Sequence, residues 1–329
     1  MIPPIYILVV DDISASSVAG PIDVFHVANL LIKKINGEKA EQLRWKIIGI
    51  EDKEITSASS MRFKTDSLLK HVKEPGWIFL PGIIVSGEAE MQHYLNQNQP
   101  LVDHLNRLFT AGFSMAANCT GTFLLAETGL LDGLSATTTW WLENLFQKRF
   151  PRIDLDIDSI IIEHDRILCS GTSTAHMELA LNLVEKLVGG KYAHLCQKYM
   201  LMENTHKTQA PYKRLTQFQQ DPFIDMANRY FLEHLHEAIR MQDVAHALAV
   251  SNRTLIRKVK QSTGDSPVQY IQKLRIERSK YLLETSSLST SEITERVGYK
   301  DNSTFGRVFK RFTDLTPSQY RQKFCINQN

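Results

Sequence analysis

Little in this chain fits a membrane, secreted or metal-bound protein. Cysteine is scarce, with four in 329 residues (Cys119, Cys169, Cys196 and Cys325), and none falls in a CxxC pair. That scatter offers neither a disulfide framework nor a zinc site, so a reducing cytoplasm is the expected home, with no metal and no cofactor. No stretch approaches the roughly 20 uncharged apolar residues that a spanning helix needs, so no membrane partner is expected. The first residues, MIPPIYILVVDD, lack a basic segment and run into two aspartates, so no signal peptide is expected either. What the chain does have is 43% hydrophobic and 22% charged residues, enough for packed cores, and a length that suits two domains.

Charge balances only in sum. The net charge of +2 hides residues 1–205, with 18 Lys/Arg against 24 Asp/Glu, and residues 206–329, with 20 against 12. An acidic front joined to a basic back is the asymmetry expected when one end meets nucleic acid. Chance clustering of surface charge gives the same count. The motifs must decide.

In the front two-thirds, short apolar runs alternate with helical patterns. Ile5–Val10, Trp45–Ile50, Trp77–Leu80 and Phe113–Asn118 read as buried strands, and Ile157–Ile162 with Arg166–Cys169 as a strand pair. Pro21–Ile35, Pro100–Thr110, Gly121–Glu127 and His176–Val188 read as helices. The alternation predicts an α/β domain with a mostly parallel sheet covered on both faces. Ligands of such sheets sit beyond the carboxyl ends of the strands.

One turn there carries chemistry. A strand of small residues ends on Cys119, and a helix starts within two residues. A sharp turn at a helix N-terminus presents and acidifies a thiol, which is the geometry of a nucleophile elbow. The same spacing also suits a small apolar residue filling the top of a sheet. The tandem Trp140–Trp141 reads either as one core ring beside a half-buried one, or as a ring face open to a cation.

The stretch 205–221 is polar, glutamine-rich and without apolar period, which reads as a linker. Everything after it reads helical. Met241–Ala249, a tight turn at Val250–Asn252, and Asn252–Gln261 with Ser251 as N-cap make a helix-turn-helix over about 241–262. An offset of 50 residues then lays Arg257 on Arg307, Lys260 on Lys310, Thr263 on Thr313, Pro267 on Pro317, Gln269 on Gln319 and Tyr270 on Tyr320. A second unit over about 291–312 follows, with its reading helix at Asn302–Phe312, and Pro267–Glu284 joins the two. Leu255, Ile256, Val259, Phe305, Val308 and Phe309 are expected to face the bundle. Arg253, Thr254, Arg257 and Lys258, with Asn302, Ser303, Arg307 and Lys310, are expected to face DNA. There Arg and Asn suit base edges and Lys suits phosphate. Two reading helices on one face of a duplex lie about one turn, roughly 34 Å, apart.

The run Asn118–Gly133, followed by Ala136–Trp140, resembles the ThiJ/PfpI branch of the class I glutamine amidotransferase-like fold. Gly20–Phe25, Leu80-Pro81-Gly82 and Gly171–Glu185 extend the resemblance over about residues 5–200. Ile293 through Tyr299, Ser303–Phe305, Phe309–Phe312 and Thr316–Tyr320 resemble the DNA-binding domain of AraC/XylS proteins. The two together are similar to GlxA-type regulators.

The resemblance implies a flavodoxin-like sensor sandwich over 1–204, a linker over 205–221 and an all-α double helix-turn-helix over 222–329. It implies a cytoplasmic transcriptional regulator, nucleoid-associated when bound to double-stranded promoter DNA. Its further partners would be RNA polymerase, a small effector such as an amino acid or amine, and a second copy joined through the front domain.

The departures from the pattern matter. Enzymatic members carry a histidine where Thr139 stands and an acid at the position of Ser17, and Ile83 replaces a second glycine after Pro81. No catalysis is therefore expected from Cys119, with His164 and His176 as the remaining candidate bases. The expected pocket comprises Cys119, Thr139, Trp140, Pro81, Gly82 and Ser17. The rival is a cysteine-dependent amidohydrolase, peptidase or glyoxalase-like enzyme using Cys119. In the second helix-turn-helix, Thr294 and Glu295 replace alanines and Asp314 replaces a glycine.

Overall fold

A computed structural model describes residues 1–51, 54–202, 208–212 and 222–325. They form two compact units, Met1–Gln209 and Ala210–Asn329. Most of the expected linker lies outside the described residues. The front unit extends past Asn204 because Thr208 bridges Ser159 and Gln209 is bonded into its interior.

A seven-stranded sheet forms the centre of the front unit. Its order from edge to edge is Ser67–Leu68, Trp45–Gly49, Ile5–Val9, Trp77–Leu80, Ser114–Asn118, Ile167–Ser170 and Ile161–Glu163. All neighbours are parallel except the last pair. The period of two in strand Ile5–Val9 divides its side chains between two cores. Tyr6 and Leu8 join one, while Ile5, Ile7 and Val9 join the other.

Helices α1 (Ser16–Asn36), α2 (Glu88–Gln97), α3 (Gln99–Thr110), α4 (Gly121–Glu127), α5 (Glu143–Arg149), α6 (His176–Val188) and α7 (Gly190–Tyr199) cover the sheet. The Tyr6 face packs on α2 to α5, and the Ile7 face on α1, α6 and α7. Helix α1 starts at Ser16, so Pro21 lies inside it rather than at its first turn. Helices α2, α5 and α7 and a hairpin pairing Glu54–Thr56 with Arg62–Lys64 were not anticipated. Their apolar stripes are too short or too diluted by polar residues to stand out in the sequence.

The second unit is all helical: α8 (Pro222–Glu233), α9 (Met241–Ala247), α10 (Asn252–Thr263), α11 (Pro267–Thr285), α12 (Thr290–Arg296), α13 (Asn302–Thr313) and α14 (Pro317–Phe324). One core joins α8, α9, α10 and the first half of α11, and a second joins the rest of α11 to α12, α13 and α14. The caps repeat with the sequence. Ser251 and Asp301 accept the backbone N–H of Thr254 and Thr304, and Ser266 and Thr316 form capping boxes with Gln269 and Gln319.

Candidate ligand pocket and nucleic-acid interface

Strand Ser114–Asn118 ends at Cys119, which adopts the left-handed region at φ 55°, and α4 begins at Gly121. An elbow therefore forms. The loop after Leu80 is clamped against it, because the Thr120 hydroxyl accepts from Ile83 N and donates to Ile83 O, both at 2.8 Å. Gly82 permits the approach, since a Cβ there would lie 3.2 Å from both the Cys119 Cβ and the Thr120 Oγ1. Ser14 N donates to the Gly82 carbonyl at 2.9 Å and brings the start of α1 to the same rim.

These segments enclose a pocket of about 220 Å³, lined chiefly by Ser14, Ile83, Asn118, Cys119, Trp141 and Ser173, with Gly82 also in its wall. Asn118 is buried, donates to Ser170 Oγ at 3.0 Å and Thr172 O at 2.9 Å, and leaves its Oδ1 without a partner among the described residues. Among the described residues, no Lys, Arg, Asp or Glu lines the pocket.

Of the pocket residues expected from the sequence, Cys119 and Gly82 line it and the rest do not. Ser17 is fully buried, with its hydroxyl donating to Ser14 O at 2.7 Å. Pro81 and Thr139 are buried and are not among the lining residues. Trp140 is half-buried and Trp141 is the ring at the pocket, with the two rings edge-to-face at 5.7 Å. The turn Trp140–Leu142 is a 3₁₀ helix, and which ring of a tandem pair it turns outward is not written in the sequence.

The thiol follows the second of the two readings of this turn, a small buried residue at the top of the sheet. Burial pushes Cys119 up to about 11, and the hydrogen bonds from Thr120 and Thr139 offset that only in part. The acidification expected from the helix N-terminus loses to desolvation. Neither candidate base is bonded to the thiol: the partner of His164 Nε2 is the Ser135 carbonyl, and that of His176 Nδ1 is the Ser173 carbonyl, each at 2.7 Å. Burial also lowers the His176 pKa.

Gln209 is a residue that the sequence reading missed. It is fully buried, with Nε2 donating to Thr137 Oγ1 (3.2 Å), Thr138 O (3.0 Å) and Ser159 O (3.3 Å) and its own N–H to Asp158 O (2.7 Å). Nothing in a polar glutamine-rich stretch marks one glutamine as buried.

In the second unit, Arg253, Arg257, Asn302, Ser303, Arg307 and Lys310 are exposed. Thr254 and Lys258 are not free on the outer face. Thr254 shares a hydroxyl contact with its cap Ser251 at 2.9 Å, and the Lys258 ammonium sits 4.3 Å from the centre of the Phe223 ring. The inward set holds for Leu255, Val259, Phe305 and Phe309, with Val308 half-buried against them. Ile256 departs from it, at 43% exposed. Its neighbours on the outer face of α10 are Asn252, Arg253, Arg257, Lys260 and Gln261.

An elbow-bearing α/β unit with two capped, basic helix-turn-helix units defines a DNA-binding transcriptional regulator of the AraC class. The chain belongs to the DJ-1/PfpI family, which matches residues 4–186, and a helix-turn-helix domain matches residues 244–323. The HTH-type transcriptional regulator GbdR of Pseudomonas aeruginosa is 24% identical over 325 residues, which is 98% of this chain and 84% of that protein. The HTH-type transcriptional regulator CdhR of the same species is 24% identical over 297 residues, 88% of this chain and 85% of that one. Among solved structures, a ThiJ/PfpI family protein from Pseudomonas syringae superposes with a TM-score of 0.50 at 16% identity, covering 80% of this chain and 88% of its own. Drosophila melanogaster DJ-1beta gives 0.50 at 16% identity, over 62% of this chain and all of its own. The enzymatic rival is not favoured.

Proposed function

We propose that the front unit is a non-catalytic sensor whose ligand seats at Cys119 and controls transcription from promoter DNA bound by the second unit. The observation that carries this reading is a buried Cys119 at a small pocket, with His164 and His176 each bonded to a backbone carbonyl instead of the thiol. Nucleophilic chemistry needs an ionised or deprotonated thiol and an oriented proton acceptor. Thr139 and Ser17 stand where the resemblance places the histidine and the acid, and neither hydroxyl is a base at neutral pH.

The pocket suits a ligand smaller than the drug-sized molecules that fill about 300–1,000 Å³. Ser14, Ser173, Asn118 and Trp141 supply its polar and aromatic lining. Those residues favour a small amine or amino acid, with its polar atoms on the serine hydroxyls and its charge beside the Trp141 ring. Gln209 extends the reading. It holds the last residue of the front unit to Thr137 and Thr138, and the Thr138 hydroxyl donates to the Cys119 carbonyl at 2.7 Å. A ligand that shifts the elbow therefore acts on the anchor of the chain entering the DNA-binding unit. Pairing of two copies through the front unit would double the DNA contacts. RNA polymerase is the downstream partner in this reading, and the cytoplasm is its setting. No helix among the described residues is long and apolar enough to cross a membrane.

The test is twofold: assay the wild type for hydrolysis of glutamine, small peptides and methylglyoxal, then compare reporter output of wild type and Cys119→Ser across a panel of amines and amino acids. The reading expects no turnover and a changed response. Turnover abolished by Cys119→Ser would replace it with the enzymatic rival.

A further inference from the structure

Helices α10 and α13 carry the same burial pattern, residue for residue, from Ser251 to Lys260 and from Asp301 to Lys310, except at one position. There α10 has the exposed Ile256 and α13 has the half-buried Gly306. Neither residue is explained by packing. Leu255 and Val259 supply the α10 core contacts, and Ile256 is not among the residues packed in that core. A Cβ on Gly306 would meet nothing within 4 Å, so no neighbour requires glycine in the middle of a helix it weakens.

A single exposed isoleucine is ordinary on a protein surface. This one is placed where it counts. It sits one helical turn from Asn252, Arg253 and Lys260 on the outer face of a helix with four cations and no acid. As the second helix of a helix-turn-helix, α10 is the one that enters the major groove in this reading, where the thymine methyl is the apolar group that a base edge presents. Gly306 holds the equivalent place among Asn302, Ser303 and Lys310. Bare backbone there brings the helix closer to the groove floor and leaves recognition to its polar neighbours.

We propose that the two reading helices specify DNA by different means: Ile256 packs on a thymine methyl in the block under α10, and Gly306 gives α13 a close, purely polar reading of its own block. The inference rests on the DNA-binding role of both helices and adds how each discriminates.

The experiment uses the full chain and a pool of duplexes with randomised sequence. After selection of the preferred site, each thymine is replaced singly by deoxyuridine, which removes only the methyl. Wild type is expected to lose about fourfold in affinity at one thymine of the α10 block, the effect of one buried methyl, and nothing of that kind in the α13 block. Ile256→Ala is expected to bind more weakly and to ignore the deoxyuridine change. Gly306→Ala is expected to melt no lower than wild type yet weaken selection in the α13 block alone. Wild type is expected to bind random DNA with an affinity that falls as salt rises, and absence of that binding would overturn the DNA-binding role on which the inference rests. The proposal is overturned if no thymine under α10 is sensitive in the wild type. It is equally overturned if Ile256→Ala retains the wild-type sensitivity, which would leave Ile256 to a protein contact.

Discussion

Gln209 and Thr138 are joined by a 3.0 Å hydrogen bond from side-chain amide to carbonyl, and the hydroxyl of that same threonine donates to the Cys119 carbonyl at 2.7 Å. Three residues from distant parts of the chain thus form one chain of contact between the elbow and the end of the front unit. Glycine at 171 makes room for it, because a Cβ there would run into the Gln209 amide. The Gln209 Oε1 is buried without a partner among the described residues, so the seat is incompletely satisfied.

Replacing Gln209 by leucine keeps the bulk and removes the donors. The Gln209→Leu change is expected to cost the front unit about 1–3 kcal/mol of stability, while leaving salt-dependent DNA binding intact. Reporter output should lose its response to the panel of amines and amino acids. Calorimetry and a reporter assay measure the two parts, and an unaltered response to that panel would remove Gln209 from the signalling route.

The pH behaviour of Cys119 follows from its burial. A thiol pushed up to about 11 is protonated at neutral pH. Alkylation of Cys119, read by mass spectrometry so that exposed Cys325 does not interfere, should rise about tenfold per pH unit between pH 7 and 10. The sign for stability is fixed as well. Above the unfolded thiol pKa the denatured chain ionises while the folded chain keeps its proton, so stability from this group is full below about pH 8 and falls as pH rises from there through 11. A rate already at its plateau at pH 7 would show an acidified, nucleophilic thiol.

The two turns differ in a way that chain chemistry can correct. Ala249 adopts φ 51° in the first helix-turn-helix where Gly298 adopts φ 80° in the second, and Asp314 adopts φ 57° where Gly264 adopts φ 76°. Ala249→Gly and Asp314→Gly are each expected to stabilise the second unit by about 0.5–1 kcal/mol, by relieving a left-handed backbone that disfavours a Cβ. The reverse change, Gly298→Ala, should unfold the unit, because the new Cβ would collide with the Leu235 carbonyl. Thermal melts of the three variants decide it.

Much of this was legible in the residues. Strands such as Trp77–Leu80 and helices such as Gly121–Glu127 and His176–Val188 fall where apolar period and turn residues put them. The duplication was visible because caps and core positions repeat at one offset. The errors share a cause: each needed three-dimensional neighbours. The outward turn of Trp141 depends on a 3₁₀ turn, the high thiol pKa on desolvation, and the Lys258 stack on the position of Phe223. Ile256 looked inward because hydrophobicity was the only cue, and in a reading helix that cue also fits the partner molecule.

The central claim is that one polypeptide reads DNA with two helices under the control of a pocket that does no chemistry, and footprinting tests its DNA half most directly. With the full chain on its selected operator, Arg257→Ala and Arg307→Ala are each expected to weaken binding by about 1–3 kcal/mol. Each should lose protection over a different block, the two blocks lying about one helical turn, roughly 34 Å, apart. Loss of protection at the same base pairs by both variants, or at none, would contradict the account.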